Sequence, residues 1–403
     1  MPNFKPFLTL IALAFSTYGH AAPFELSATM GDQTQSSRHI DAEKSVNIFY
    51  KQAIRPGSLF NNYTGKEAVT STLNFRGLPI IIAYPDTSSK LEFSIPSTGL
   101  SKTFQGRTRE QSQALFLKYL SSRSDLLSEP STHLIELSPI DLVAGNSNSL
   151  MSRGVSLDAQ TLWFGSDAAA DEQRFSAGIN YTHMQSSATA RVRAMHSDGV
   201  TLPLAYAYNL GQANHELIVS TPLGYTDAEG SKSYDANLGL SYRYPVNSNW
   251  TLGATSSARF TGSNDLGTSA WIGSAAIASS YVWEGDGWHL TLGNLLGYYN
   301  AFSLRVDSNT LNPDIANTVF RNGLFYSLDS QWEVGGDPLS WEIYLINTQY
   351  TGTKLFSNHQ NEVGVRFGRQ RNEQNTDIDF HGGVSFSKGE NLESWQVNFG
   401  AWF

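Results

Sequence analysis

The segment SYDANLGLSYRYPV, residues 233–246, alternates without a break. Tyr234, Ala236, Leu238, Leu240, Tyr242 and Tyr244 fall on one side of an extended chain, with Asp235, Asn237, Gly239, Ser241 and Arg243 on the other. Successive side chains of a strand point to opposite faces, so one face of this strand wants hydrocarbon and the other accepts water. DIDFHGGVSF (377–386) repeats the division, setting Phe380, Val384 and Phe386 against Asp379, His381 and Ser385. NEVGVRFGRQ (361–370) does so again, with Val363, Val365 and Phe367 opposite Glu362 and Arg366.

Eleven further segments, from GVSLDAQTLWFG (154–165) to ESWQVNFGAWF (393–403) and including the short TARVRAM (189–195), share the pattern less perfectly. TGSNDLG, EGDG, GGDP and NEQNTD separate several of them as polar turns. The reading is an all-β transmembrane antiparallel β-barrel of 12 to 14 strands over residues 151–403, the range reflecting short segments that merge or fall in loops. A soluble secreted β-protein also alternates. Three features weigh against it: strands often near the roughly 9 to 11 residues of a tilted membrane strand, aromatics such as Trp163, Trp250, Trp271 and Trp341 near strand ends, and glycine and serine crowding the polar face. No stretch of 18 apolar residues offers a spanning helix, so strands must do the crossing, which places the chain in a Gram-negative outer membrane.

Trp395, Val397, Phe399, Ala401 and Phe403 form the apolar face of the last candidate strand. This resembles the C-terminal signature of bacterial outer-membrane barrels. The resemblance implies presentation to the barrel-assembly machinery, and outer-membrane lipid as the surrounding partner. A second resemblance rests on AGNSNSLMSRG: Asn146 to Leu150 are similar to the NPA-type motif ahead of the barrel in hydrophobic-solute transporters of the long-chain fatty acid class, with Ser147 where that motif has proline. It implies an N-terminal plug, residues 23–150, and 14 strands.

The rest of the chain bounds these readings. Among 403 residues there are 34 Gly, 18 Tyr, 9 Trp, 22 Phe and no Cys, with 16% charged and a mean hydropathy of -0.28. A net charge of -9 with no Lys/Arg cluster argues against a nucleic-acid partner. Residues 1–22, with Lys5, an apolar Phe7–Phe15 core and Ala21–Ala22, have the layout of a secretory signal peptide. Residues 23–150 read as a small α/β domain, a plug or a periplasmic unit. Its helices are expected in HIDAEKSVNIFYKQAI and, capped by Thr108, in TREQSQALFLKYL, where Leu115, Phe116, Tyr119 and Leu120 share a face; strands are expected at Ile80–Ala83 and in LEFSI.

Function is expected on the water-facing side of the barrel. Asp235, Arg243, Arg259, Glu362, Arg366, Asp379 and His381, with Arg191 and Arg193, are the lumen-lining candidates. Charges in a narrow barrel must pair across strands or line a wet channel. These features support an outer-membrane channel or transporter for a small or hydrophobic solute, or an export component, working by width and charge without catalysis. The alternative is a structural barrel anchoring an interaction domain for periplasmic protein partners. A membrane-embedded lipid hydrolase is third: His196, Ser197 and Asp198 are adjacent, but neighbours in a strand face opposite ways and cannot form a relay. The nine His show no HExxH spacing and no glycine-rich phosphate loop is present, so neither metal nor cofactor is expected.

Overall fold

The computed structural model describes residues 22–49, 56–122, 134–166, 172–188, 194–212, 215–302, 304–306, 309–311, 315–334, 337–369 and 379–403. The signal-peptide reading of 1–22, the segment 189–193 with Arg191 and Arg193, and Ala53 of the first helix reading lie outside or almost wholly outside them.

The first unit is a six-stranded antiparallel sheet. It comprises β1 (Phe24–Met30), β2 (Gln33–His39), β3 (Val69–Phe75), β4 (Leu78–Tyr84), β5 (Leu91–Ile95) and β6 (Leu100–Phe104), in the order β2-β1-β3-β4-β5-β6. Every second residue of β1, from Phe24 through Leu26 and Ala28 to Met30, is buried, as are Leu73, Ile82, Leu91 and Phe93 on its neighbours. Helix α1 (Ala42–Ile48) follows β2, and α2 (Arg109–Ser122) sets Phe116 against Phe93 and Phe104. Thr108 Oγ1 accepts from Gln111 N at 3.3 Å, and the Gln111 side chain reaches back to Arg107 N at 2.8 Å, closing the first turn. One expectation fails here: Leu115 is exposed rather than sharing the face of Phe116.

The segment 154–165, expected as a strand, is the body of helix α3 (Leu150–Phe164). Ser149 caps it by accepting from Ser152 N, and Leu150, Met151, Val155, Ala159, Leu162 and Trp163 recur at helical spacing and are buried. The barrel wall therefore begins at Gln173. Its strands are β7 (Gln173–Ser186), β8 (His196–Leu202, resumed after Pro203 as Leu204–Asn209), β9 (Glu216–Ser220, resumed after Pro222 as Leu223–Ala228), β10 (Ser231–Pro245), β11 (Trp250–Ser263) and β12 (Thr268–Gly285). Then come β13 (Trp288–Phe302), β14 (Ala316–Val334), β15 (Asp337–Gly352), β16 (His359–Arg369), β17 (Asp379–Gly389) and β18 (Leu392–Trp402).

The interruptions in β8 and β9 do not change register, because Gly178 N donates to Pro203 O and Asn237 N to Pro222 O in step with the flanking ladders. The fourteen segments of this sheet are thus twelve strands among the described residues, the lower end of the expected range and two fewer than the fatty-acid-transporter resemblance implies. The ring closes where β18 pairs antiparallel with β7, Leu392 opposite Ser186 and Val397 opposite Tyr181.

The two faces divide as the alternation demands. Leu238 and Ile277 are each 60% exposed and Leu345 57%, while Ser241, Arg243, Thr255, Ser257 and Arg259 face inward and are buried. A closed antiparallel ring satisfies its own backbone, and a belt of exposed Leu, Ile, Val, Tyr and Trp around it is a lipid-contact surface. The chain is a β-barrel protein of the bacterial outer membrane. Trp163, expected in the aromatic girdle, is instead inside, its indole Nε1 donating to Asn294 O at 3.2 Å. Gly293 and Gly323 sit opposite each other in β13 and β14 and make the groove it fills, since a Cβ on Gly293 would lie 2.6 Å from the ring.

The sheet domain covers one mouth of this ring. Phe24 packs with Met184, Met195, Ala228, Leu266, Phe356 and Leu392, all from connections or strand ends at that mouth. Ala42 N donates to Asp265 O at 2.7 Å, and the Ser231 hydroxyl to Ile40 O at 2.6 Å. Arg76, at the β3–β4 turn with φ 54° and 2% exposed, reaches Asp141 at 2.7 Å and Thr268 Oγ1 at 2.6 Å.

Candidate functional site

The site is the lumen, and α3 fills it. Fifteen residues at about 1.5 Å each span about 22 Å, close to the height of a roughly 25 Å apolar band. The loop that leads in is held as firmly as the helix. Asp141 Oδ1 accepts from Val143 N at 2.8 Å, Asn146 Nδ2 donates to Asp141 O at 2.6 Å, and Asn148 Nδ2 donates to Ser197 Oγ at 2.9 Å. Asn146 to Leu150, the stretch behind the transporter resemblance, therefore tie the loop to the wall and start the helix.

Down the helix, each charged side chain meets a partner on the wall. Arg153 pairs with Asp235 of β10. Asp158 accepts from Arg259 Nη2 at 2.6 Å and from the Tyr299 hydroxyl at 2.8 Å, while Arg259 Nη1 donates to Ser274 Oγ at 2.6 Å. Gly154 makes this approach possible: a Cβ there would lie 2.4 Å from Arg259 Nε. At the far end Arg243 Nη1 meets Glu216 at 2.6 Å and its Nε donates to Leu162 O at 3.2 Å; the Ser166 amide also donates to Glu216, at 3.2 Å.

The remaining candidates are placed as follows. Arg366 pairs with Glu342, its cross-strand neighbour, and lies 4.3 Å from the centre of the Phe164 ring. Glu362 accepts from Arg321 at 3.2 Å, and Arg321 also donates to Thr348 Oγ1 at 2.6 Å. His381 Nε2 is 3.3 Å from Gln160 Nε2 on the helix. Asp379 opens β17 opposite Trp402, and its side chain lies outside the described residues. Asp235, Arg243, Arg259, Glu362 and Arg366 each pair with a residue outside the candidate set. Their partners are Arg153, Asp158, Glu216, Arg321 and Glu342, which the sequence reading passed over, and only the helical recurrence of Met151, Val155 and Leu162 could have exposed the first two.

Burial decides what such pairs can do. Arg243, Glu216, Arg259 and Asp158 are each under one-tenth exposed. Ions this far from water are held by each other, and breaking one such pair leaves an uncompensated charge worth about 3–5 kcal/mol. The arrangement is a packed joint, with the helix as one half. A cavity of about 580 Å³ lies beside the second half of the helix and borders Leu157, Gln160, Phe164, Glu342, Arg366 and His381. The adjacent trio does not converge: Ser197 faces inward to Asn148, whereas His196 pairs with Glu229 and Asp198 meets His183 at 2.9 Å and the Tyr181 hydroxyl at 2.6 Å. Among the described residues no three His, Cys, Asp or Glu side chains are grouped to hold a metal.

No known family model matches the chain, and no curated protein does. Solved structures do resemble it. The β domain of the Bordetella autotransporter Brka is 12% identical, matching 58% of this chain and 99% of its own at a TM-score of 0.46. The translocator domain of the autotransporter NalP from Neisseria meningitidis is 11% identical over 63% of this chain and 95% of its own, at 0.43. An outer membrane channel from Pseudomonas putida F1 is 14% identical over 59% and 98%, at 0.38.

Proposed function

We propose that the barrel is a sealed anchor that holds the N-terminal domain at its mouth as an interaction module, with α3 as a permanent part of the wall's packing. The observation that carries this is Asp158, a buried helix carboxylate taken by both Arg259 and Tyr299 of the wall. A wall made to conduct would not depend on a helix to neutralise its arginine. The apolar stripe of β18 is the part we assign to the assembly machinery, and lipid surrounds the rest.

Planar-bilayer recording tests the reading. The full chain is expected to be silent, and Arg259→Ala, which strands Asp158, is expected to produce intermittent conductance through a loosened lumen. Steady ion conduction by the unaltered chain would sink the sealed-anchor reading. A second reading, passage of a small solute, draws on the cavity of about 580 Å³ beside Arg366 and His381. It requires solute-dependent opening of the unaltered chain in the same recording.

A further inference from the structure

The course of the chain through the ring has a consequence for which side of the membrane each part occupies. Asn148 is bonded to Ser197 near the covered mouth, and Ser166 is bonded to Glu216 near the other. Between them the chain passes once through the lumen as α3. The wall then starts at the far mouth, since Glu172 O accepts from Asn209 N at 3.0 Å there, and with twelve strands it also finishes there: Phe403 and Phe175 exchange backbone hydrogen bonds of 2.8 and 3.1 Å. The N-terminal sheet and the two ends of the wall, the start of β7 and the end of β18, thus stand on opposite faces of the bilayer.

Connection length sets the direction. The longest connection of the ring, the thirteen residues 303–315 between β13 and β14, is at the mouth that the sheet covers, whereas the longest at the other mouth, 370–378, has nine, and 246–249 and 286–287 there are tight turns. Outer-membrane barrels have short periplasmic turns and longer extracellular loops. We infer that the N-terminal domain stands on the outer surface of the outer membrane, tethered through the barrel by α3, and that it meets partners outside the cell rather than in the periplasm. This rests on the anchor reading and sharpens it.

The chain has no cysteine, so a single introduced thiol is unique. Thr103→Cys on β6 and Gln35→Cys on β2 place it on exposed positions of the sheet, and Ser248→Cys places it in the 246–249 turn. Each full-length variant is expressed in cells, checked for the heat-dependent gel migration of a folded barrel, and treated with a membrane-impermeant maleimide before and after permeabilisation. The expected result is equal labelling of Thr103→Cys with and without permeabilisation, and loss of Ser248→Cys labelling in intact cells. The reversed pattern overturns the direction, and matching behaviour at the two mouths overturns the opposite-face placement. Neither outcome touches the conductance result, so the anchor reading stands or falls separately. If Thr103→Cys does not fold, Gln35→Cys reads the same face.

Discussion

The N-terminal sheet and the barrel are both antiparallel and both alternate, yet they are inside out relative to each other. In the sheet, Leu26, Leu73, Ile82 and Phe93 point into a core and the other side is a field of hydroxyls. Ser36, Ser27 and Thr72 lie in one cross-strand row, with Thr34, Thr29 and Thr70 in the next. In the barrel, Leu238, Ile277 and Val397 point away from the centre, and the centre holds Arg259, Asp158 and Ser274. The same period of two yields opposite placements because the solvent differs. Water surrounds one sheet, and hydrocarbon surrounds the other.

That contrast can be broken from either side. Phe116→Ala removes the ring that plugs the sheet core, and is expected to cost about 3–5 kcal/mol. Thermal unfolding should then show a lowered transition for the N-terminal domain and an unmoved one for the barrel. A joint shift would mean that the docking by Arg76 and Phe24 fuses the two into one cooperative unit. Leu238→Arg puts a charge at the middle of β10, and is expected to cost about 2–4 kcal/mol at the bilayer midplane. Urea titration in lipid vesicles reads this, with Thr72→Arg on the sheet's hydroxyl face as the partner variant that should be nearly neutral. Equal penalties at the two positions would refute the inside-out description.

The smallest effect concerns a loop of the water-facing unit. Glu67 accepts from the Thr64 hydroxyl and from the Thr64 and Lys66 amides, and these bonds, with one from its own amide, hold its carboxyl at about 2 instead of 4.5. A depressed pKa means the folded loop favours the carboxylate. Its stabilisation is therefore complete above 4.5 and is lost as pH falls toward 2. Carboxyl NMR titration of Thr64→Val should move the midpoint back up, whereas an unchanged midpoint would deny the hydroxyl its part.

The wall was legible because lipid on one face and a polar lumen on the other write a strict alternation, as in 233–246. The last strand was legible for the same reason. The lumen helix was not. Val155, Leu157, Ala159, Thr161 and Trp163 alternate well enough to pass for a strand, while Met151, Val155, Ala159 and Leu162 recur every three or four residues on the face that is buried. Ser149 as a cap is the deciding local signal, and it lies in the stretch that carries the NPA-type resemblance. The pairing of the charges was hidden for a deeper reason. Asp235 and Arg243 share a strand, but one answers Arg153 on the lumen helix and the other Glu216, its opposite number on β9, so one pairing needs the helix in the lumen and the other the β9–β10 register.

Closure also fixes an order of events. Ser186 meets Leu392, so the first strand of the ring waits for the last before it has a neighbour on that side. Until then two raw edges remain open, and non-local pairings of this kind form late. A folded six-stranded sheet cannot pass a lumen that a single helix fills. Either the ring shuts around a thread already laid, or the sheet folds only after its chain has been drawn through unfolded.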